Sequence, residues 1–599
     1  MRAPERPRRS ADRFSRTRLG RWWARDRTPG QRAFVLIWMA LLLTLLIAVA
    51  GFAVDMANWW LASERLQSAV DSGAHAGAVF LPGDLTTART QARRKVALNG
   101  FNDGILGGPV RASVVVTQMP NPYQLKVEAT TTINNVFLSI IGMRTQVVKR
   151  DAIGQFEQPI SMGSPENKMG NDPDTGYNSP QFWTNIAGPN ATKVSGDRYT
   201  SKNCGSPTPA RCTGTASPGV PNDDYSQNGY FYTMKVQNPD PANPLVVQVW
   251  DGEFAYVGDT CTNATFPTAA QITTLKNLPG NPYPDAQTRF VSGAGTFCTG
   301  DQDISGRSMK TTFLVREPDN TPWSDTDNPV VSSATCSPQT LPAFDATSTT
   351  GIPGGSNYIF ENLNSGAPGV VTPLPYGTWT FANTFRRWAT VCTIPAASVK
   401  TGEYLLQVRT NAKASDKTQY DASINDGGHN RMSMRVGFGT AGANTLDGSR
   451  VSMAARTRMP IYANATGANT TFYLARVTPA DAGRTLRITL YDMGDAASAG
   501  TLQILAPTEA NVGFTNCSFT RDNGGTLSVA SNCTLSNVSS ANFNGRLVDV
   551  DVPIPHNYTC AENQATGCWV LVKAAFPGGV SDTTTWSAWI LGSPVRLVE

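Results

Sequence analysis

An uncharged apolar run of 22 residues, AFVLIWMALLLTLLIAVAGFAV, occupies positions 33–54. As an α-helix it would rise about 33 Å, more than the roughly 30 Å of a bilayer's hydrocarbon core. Tryptophan pairs at 22–23 and 59–60 flank the run, as aromatic residues do at membrane interfaces. The run therefore predicts a transmembrane helix at 33–54 that separates a short tail from the rest of the chain.

Basic charge is concentrated on the N-terminal side of this run. Residues 1–32 hold eleven Arg against three acidic residues, a net charge of +8 in a chain whose total is +5. Because positively charged flanks stay in the cytoplasm, the tail is predicted to be cytoplasmic and the bulk of the chain extracytoplasmic. The body of the chain carries a slight negative charge, which argues against a nucleic-acid partner.

A cleaved signal peptide is the alternative to a retained span. The tripeptide Ala48-Val49-Ala50 has the small-x-small pattern of a cleavage site. However, no Pro occurs between Pro29 and Pro82, and helix-forming sequence continues through DMANWWLASERLQSAVDSGAHAGAVF. A cleavage site normally lies in extended sequence, so the pattern favours a retained anchor that continues as a stalk helix.

Small residues four apart on this stalk, at Ala69, Gly73 and Gly77, predict close packing with a second helix from the segment 86–101. The runs VRASVVVT, YQLKVEATTTI and TQVVKRDAI then alternate apolar and polar residues, as half-buried strands do. Residues 55–157 are therefore predicted to form a stalk helix and a small α+β domain. Residues 158–181 are rich in Gly, Pro, Asn and Asp and predict a linker.

The span and stalk also carry an ordered set of residues. Gly30-Gln31 precede the span, Gly51, Val54 and Asp55 mark its exit, and positions 61–74 read L-x(4)-LQ-x-A-x-D-x-x-A. With the later segment NNVFLSIIGMRTQVVKRDAIGQF at 134–156, this order resembles the N-terminal domain of TadG-like proteins of the Flp (tight adherence) pilus-assembly system. The resemblance covers residues 28–157. It implies a membrane-anchored pilus-assembly component whose small domain is closed by a short helix and a final strand.

Beyond position 181 the chain consists of short strand-like runs separated by turn residues, which is typical of sandwiches and barrels. FYTMKVQNPDPANPLVVQVWD at 231–251 aligns without a gap on FYLARVTPADAGRTLRITLYD at 472–492, with six identities. ATVCTIP (389–395) and GEYLLQVRT (402–410) recur in the same order as VDVPIP (550–555) and GCWVLVKAA (567–575). We therefore predict two tandem all-β sandwich (jelly-roll-like) domains, at 182–446 with an insertion and at 447–599.

The ten cysteines all follow the span, which indicates an oxidising compartment. Six lie in the first predicted β-domain and four in the second, so each domain can be closed internally by disulfides, five in total. Short separations favour pairing Cys204 with Cys212, Cys517 with Cys533, and Cys560 with Cys568. The remaining cysteines, whose pairing stays open, are Cys261, Cys298, Cys336 and Cys392.

Signals for catalysis or cofactor binding are sparse. The chain has three His and no GxSxG, HExxH or complete phosphate-loop pattern. One loop, PDNTPWSDTDNP at 318–329, contains Asp319, Asp325 and Asp327, hard oxygen ligands of the kind that suit calcium. The alternative is a pair of turns rich in their usual Asx and Pro residues. No cofactor and no catalytic residue is predicted.

The expected function is that of a non-enzymatic, single-pass protein of the cytoplasmic membrane that displays β-domains within a TadG-like pilus-assembly system. Its expected partners are the membrane and other pilus-assembly or surface proteins. Two alternatives stay open. The β-domains could bind cell-wall or host glycans as an adhesin does, which exposed aromatic side chains on one face would support. A cell-wall glycan hydrolase is the other, because paired carboxylates need no sequence motif.

Overall fold

The computed structural model describes residues 29–598, apart from 82–83, 105–108, 121–122, 157–158, 172–180, 207–208, 215–218, 252–260, 263–268, 282, 286, 288–296, 299–308, 320, 322–323, 342–378, 380–383, 385–386, 443–444, 466–468, 497, 525–526, 528, 564–566 and 592–594. The chain divides into two compact units, residues 1–156 with 595–599 and residues 157–594. We call them the anchor unit and the β unit. Most of the predicted cytoplasmic tail, residues 1–28, lies outside the described residues.

The anchor unit combines two helices with a five-stranded sheet. Its elements are α1 (Pro29–Ala78), α2 (Leu85–Leu98), β1 (Phe101–Asn102), β2 (Val110–Gln118), β3 (Gln124–Asn134), a 3-10 turn (Leu138–Ile141), β4 (Thr145–Phe156) and the C-terminal strand (Val595–Val598). The sheet order is β1-β2-β3-β4-C-terminal strand. The alternation of apolar and polar residues accounts for β2 and β3. Their buried side chains, such as Val114, Val116, Leu125 and Val127, pack against the helices.

The C-terminal strand differs from the sequence prediction, which placed it in the second β-domain. Val595 pairs with Phe156 and Val598 with Ile153, so this strand extends the anchor-unit sheet along β4. Sequence pattern could not reveal this, because four residues of ordinary strand composition carry no information about a partner more than 400 positions away. The β unit is therefore inserted between two adjacent strands of the anchor-unit sheet.

Glycines allow α1 and α2 to approach closely, as predicted. A Cβ on Gly77 would lie 2.7 Å from the Ala88 carbonyl oxygen and would also clash with Leu125 Cδ2. A Cβ on Gly73 would lie 2.8 Å from Val96 Cγ2. Any larger residue would push the second helix away, which explains the spacing of small residues on the stalk.

The β unit contains 23 strands, two short α-helices and several 3-10 turns in its described part. The helices are α3 (Ala269–Lys276) and α4 (Ser540–Phe543). The strands are β5 (Ser161–Met162), β6 (Lys168–Met169), β7 (Gln181–Ala187), β8 (Tyr230–Val236), β9 (Leu245–Asp251), β10 (Cys261–Thr262), β11 (Phe297–Cys298), β12 (Thr311–Arg316), β13 (Gln339–Leu341), β14 (Trp388–Ile394), β15 (Gly402–Arg409), β16 (His429–Phe438), β17 (Val451–Arg456), β18 (Arg458–Ala465), β19 (Thr470–Arg476), β20 (Thr485–Tyr491), β21 (Gly500–Leu505), β22 (Ser518–Arg521), β23 (Val529–Ala530), β24 (Thr534–Val538), β25 (Leu547–Pro553), β26 (Trp569–Ala575) and β27 (Val580–Ile590).

Two long sheets form a sandwich around one continuous core. Their orders are β13-β12-β15-β8-β17-β5-β19-β26-β21-β24-β23 and β14-β9-β16-β7-β18-β27-β20-β25-β22. Alternation is clear in β25, where Val548, Val550 and Val552 face the core and the aspartates between them do not. Neither sheet is interrupted at the predicted boundary of 446/447, and β5 and β6 lie in the stretch predicted as a linker.

The duplication appears in the strand pairing. The series β5, β7, β8, β9, β12, β13, β14, β15, β16 corresponds in order to β17, β18, β19, β20, β21, β24, β25, β26, β27. In the first copy β8 pairs with β15, and β9 lies between β14 and β16; in the second β19 pairs with β26, and β20 lies between β25 and β27. Val247 and Val249 are buried as Ile488 and Leu490 are, as the alignment predicted. The strand register differs between the two copies in one place. Leu245 opposes Ile394 in the first copy, whereas its counterpart Leu486 opposes Val552, two residues before the counterpart of Ile394.

The first strand of each copy is exchanged between the copies. β17 pairs with β8 of the first copy, and β5 pairs with β19 of the second. The equivalent strands β5 and β17 also pair antiparallel with each other, as do β7 and β18. This is the arrangement that a local two-fold axis between the copies produces, and it makes the two sandwiches one body.

Four disulfides lie among the described residues, and none joins the first copy to the second. They are Cys204–Cys212, Cys336–Cys392, Cys517–Cys533 and Cys560–Cys568. The three pairings favoured by short separation are therefore confirmed. The backbone ladder of β10 and β11 places Cys261 opposite Cys298, while their side chains lie outside the described part.

Candidate functional site

The candidate functional site is the junction of α1 with the anchor-unit sheet. Side chains of α1 from Phe34 to Ala50 are all exposed, and the first buried position is Gly51. In the described part of the chain, α1 is the one helix long and apolar enough to cross a membrane. From Gly51 onward, positions spaced by four residues face the hairpin formed by β3 and β4. Residues four apart lie on one face of a helix, so these positions form a ladder of contacts.

Asp55 provides the most connected contact of this ladder. Its carboxylate accepts hydrogen bonds from three consecutive backbone N–H groups, those of Val136 and Phe137 at 2.9 Å each and of Leu138 at 2.7 Å. These are the donors that the start of a 3-10 turn leaves without intrahelical partners. Asp55 lies on α1, so it caps from another element the turn that joins β3 to β4, and it is almost fully buried.

Gly51 and Trp59 extend the contact on either side of Asp55. A Cβ on Gly51 would lie 2.7 Å from Cγ and Cδ1 of the Phe137 ring, so only glycine leaves room for this ring against α1. One turn beyond Asp55, the indole Nε1 of Trp59 donates to Asn135 Oδ1 at 2.6 Å. Asn135 Nδ2 in turn donates to the carbonyl of Met143 at 2.9 Å, which closes the hairpin turn.

Two further steps of the ladder reach β4. Ser63 Oγ accepts from Arg150 Nε at 2.8 Å, and Gln67 Nε2 donates to the carbonyl of Asp151 at 3.2 Å. Gly51, Asp55 and Gln67 are among the residues on which the resemblance to TadG-like proteins rests. The ladder gives each a role, because all three hold the hairpin onto the helix that leaves the apolar run.

The carboxylates of the candidate calcium loop have ion-pair or hydrogen-bond partners within the protein. Asp325 pairs with Arg456 Nε at 2.6 Å, and burial raises the pKa of Asp325. Asp319 accepts from the backbone and hydroxyl of Thr321, whose hydroxyl also lies 2.9 Å from Asp327 Oδ2. Among the residues that the structure describes, no three His, Cys, Asp or Glu side chains are arranged to hold a metal ion. Calcium binding by this loop stays an alternative to the pair of turns.

An aromatic cluster lies on the face of the second sheet that is turned away from the core. Trp183 stacks on Trp250 with ring centroids 5.4 Å apart, and Trp388 and Tyr462 complete the cluster. Arg431 lies 3.6 Å from the centroid of the Tyr462 ring. All four rings are buried, and in the described part of the β unit the one exposed large hydrophobic side chain is Trp589. The exposed aromatic face that would support glycan binding is not found there.

A buried acid pair in the second copy was missed by sequence reasoning. Asp582 Oδ2 accepts from the backbone N–H groups of Gly494 and Asp495, and Asp492 Oδ1 accepts from Gly545 N–H. Burial raises the pKa of Asp492 to about 8 and raises that of Asp582 well above its ordinary value. Each carboxyl holds a loop in place. Their positions, at the end of β20 and within β27, gave no sequence signal, since neither forms part of a motif.

These raised pKa values predict that stability falls as pH rises from about 4 to 8. In this range the folded protein keeps protons that the unfolded chain loses, so the free energy of unfolding falls by about 1.4 kcal/mol per pH unit for each retained proton. Asp492→Asn should remove one such proton while keeping the acceptor, and Asn tolerates the left-handed conformation of this residue, φ 58°. Chemical unfolding of detergent-solubilised protein at pH 5 to 8 should therefore show a shallower pH dependence for this variant. Asp416→Asn is the control, because the pKa of the half-buried Asp416 is lowered by its hydrogen bonds with Thr418 and this residue does not titrate in this range. Equal slopes for all three proteins would contradict the prediction.

One protein family matches the part of the chain that forms this junction. Residues 33–79 match the model of the Tad family, described as Flp pilus-assembly TadE/G-like. The match includes the apolar run and the five ladder positions from Gly51 to Gln67. No curated protein and no solved structure matches the chain. The N-terminal region is thus similar to the Tad family, as the sequence predicted, and α1 is a candidate membrane-spanning helix.

Proposed function

We propose that the protein is the membrane-anchored, extracytoplasmic component of a Tad-type pilus-assembly system and that it acts without catalysis. The Arg-rich tail lies in the cytoplasm, α1 crosses the cytoplasmic membrane, and the β unit is presented outside it. Its partners are the membrane and other proteins of the assembly system.

The observation that carries this proposal is the continuity of α1. One helix of 50 residues contains the apolar run and, without interruption, the ladder of residues that holds the folded domain. Cleavage at 50/51 would leave the ladder, which begins at Gly51, in the folded domain, so the ladder ties that domain to the membrane only if the apolar run is retained. The disulfides of the β unit suit an oxidising, extracytoplasmic location.

A non-enzymatic role is supported by the contacts of three acidic side chains in the β unit. The carboxylates with raised pKa values, Asp325, Asp492 and Asp582, are each bound to an arginine or to backbone N–H groups. His429 lies buried within β16. These groups therefore serve the fold, and we propose that pilus assembly uses the β unit as an interaction surface.

Genetic complementation tests the proposal. A deletion strain should lose surface pili, and the wild-type protein should restore them. A matched variant in which residues 1–50 are replaced by a cleavable signal peptide should be exported and folded but should fail to restore pili, because it lacks the anchor. Reporters fused before Gly30 and after Glu599 should be cytoplasmic and extracytoplasmic, respectively. Normal piliation in the deletion strain, or restoration by the soluble variant, would contradict the proposal.

A further inference from the structure

The turn between β3 and β4 exposes an unusual density of apolar side chains. We call residues 136–147 the hairpin tip. Within it Ile140 is 82% exposed and Ile141 71%, and Val136, Met143 and Val147 are each about half exposed or more. Soluble surfaces rarely place so many large apolar groups together without a partner.

The position of the tip along α1 indicates what covers it. Phe137 packs against Gly51, which lies inside the apolar run of 33–54. Gly51 precedes the end of that run by three residues, which is about 5 Å along a helix. Any bilayer that accommodates the whole apolar run must therefore extend past the level at which the tip meets the helix.

The distribution of charge on the hairpin agrees with this depth. Ion pairs begin further along the strands, where Lys149 lies 2.8 Å from Glu128 and Lys126 lies 2.9 Å from Asp151. At the tip the one charged side chain is Arg144, which is exposed. A single arginine at an apolar edge can extend its guanidinium to lipid phosphates while its stem stays in the apolar layer.

The tip is also fixed to α1 and cannot retract independently. Asp55 holds its first three N–H groups, and Asn135 links Trp59 to the carbonyl of Met143. From this geometry we infer that the hairpin tip inserts into the outer interface of the membrane that α1 crosses, with Ile140 and Ile141 in contact with lipid. The inference rests on the proposed membrane-spanning role of α1. The protein is then attached to the membrane at two places, through the span of α1 and through the shallowly inserted hairpin tip.

Site-directed spin labelling of the full chain tests this. No free cysteine occurs among the described residues, so a nitroxide can be attached to Ile140→Cys without reducing the protein. In vesicles of phosphatidylethanolamine and phosphatidylglycerol, oxygen should relax this label more strongly than a water-soluble nickel chelate does. Lys149→Cys, on the same hairpin but beyond the tip, should show the reverse order, and Leu45→Cys in the middle of the span should be the most accessible to oxygen.

Each other outcome has a definite meaning. If the label at position 45 reports lipid while that at 140 reports water, the inference is wrong and the span stands. If both report water, α1 does not cross the membrane and the proposed function fails as well. Dipolar broadening at position 140 that disappears on dilution with unlabelled protein would show that a second copy covers the tip instead of lipid.

A charged variant supplies an independent measurement. Replacing both isoleucines (Ile140→Asp with Ile141→Asp) should expel the tip, so that a label at Met143→Cys becomes accessible to the nickel chelate while the label at position 45 is unchanged. An unchanged accessibility at position 143 would overturn the inference. Retention of the Asp55 hydrogen bonds, seen as slow exchange of the amides at 136–138, would confirm that the variant is folded.

Discussion

Replacing Asp55 with Ala should release the hairpin from α1. Three consecutive backbone N–H groups would lose a charged acceptor, those of Val136 and Phe137, which are part-buried, and that of Leu138, which is buried. Bonds from backbone donors to a charged acceptor are among the stronger ones, and leaving buried donors without a partner adds a further penalty. We expect hydrogen exchange of these amides to accelerate by about two orders of magnitude or more.

Asp84→Ala is the matched control for this variant. Asp84 also accepts a backbone N–H at the start of a helix, that of Thr87 at 2.9 Å, but it caps its own helix α2 and receives one such bond. Its replacement should accelerate exchange in the first turn of α2 alone. Asp55→Asn should be intermediate, because one amide oxygen replaces two carboxylate oxygens. Similar exchange at 136–138 in Asp55→Ala and the wild type would show that the turn is held by other contacts.

The importance of Asp55 could be noticed in the sequence but not understood from it. Its partners lie 81 to 83 positions further along the chain, and they are backbone groups, which no side-chain pattern reveals. By contrast, the apolar run, the strands of the small domain and the close approach of α2 to Gly73 and Gly77 follow from hydropathy, alternation and residue size. Local rules thus predict which elements form, whereas the contact that joins them depends on chain folding.

The same distinction applies to the β unit. The alignment of 231–251 with 472–492 predicts equivalent strands because spacing and alternation are retained after duplication. It does not predict that β5 and β17 change places. Each of these strands buries the same side chains whether it pairs within its own copy or within the neighbouring copy. Met162 and Met453 illustrate this: both are fully buried at equivalent positions, and each lies beside a strand of the other copy.

Strand exchange predicts that neither half of the β unit folds alone. Residues 159–446 by themselves would leave β5 without either partner and β8 with an open edge, because β17 and β19 belong to the other half. Residues 447–594 would lack β5 and the pairing of β18 with β7. Each half should therefore be aggregated or lack a cooperative unfolding transition, whereas the two expressed together should form a one-to-one complex with a single transition.

A protease site placed within residues 440–446 of the intact protein is the control. After folding and cleavage, the halves should remain associated without a covalent link, since every exchanged pairing survives the cut. No disulfide among the described residues crosses it either. Two independent domains, as the boundary at 446/447 implies, would separate after cleavage, and each half would unfold cooperatively by itself. That result would mean that β5 and β17 contribute little, and that the continuous core across β17, β5 and β19 is dispensable for the fold of each copy.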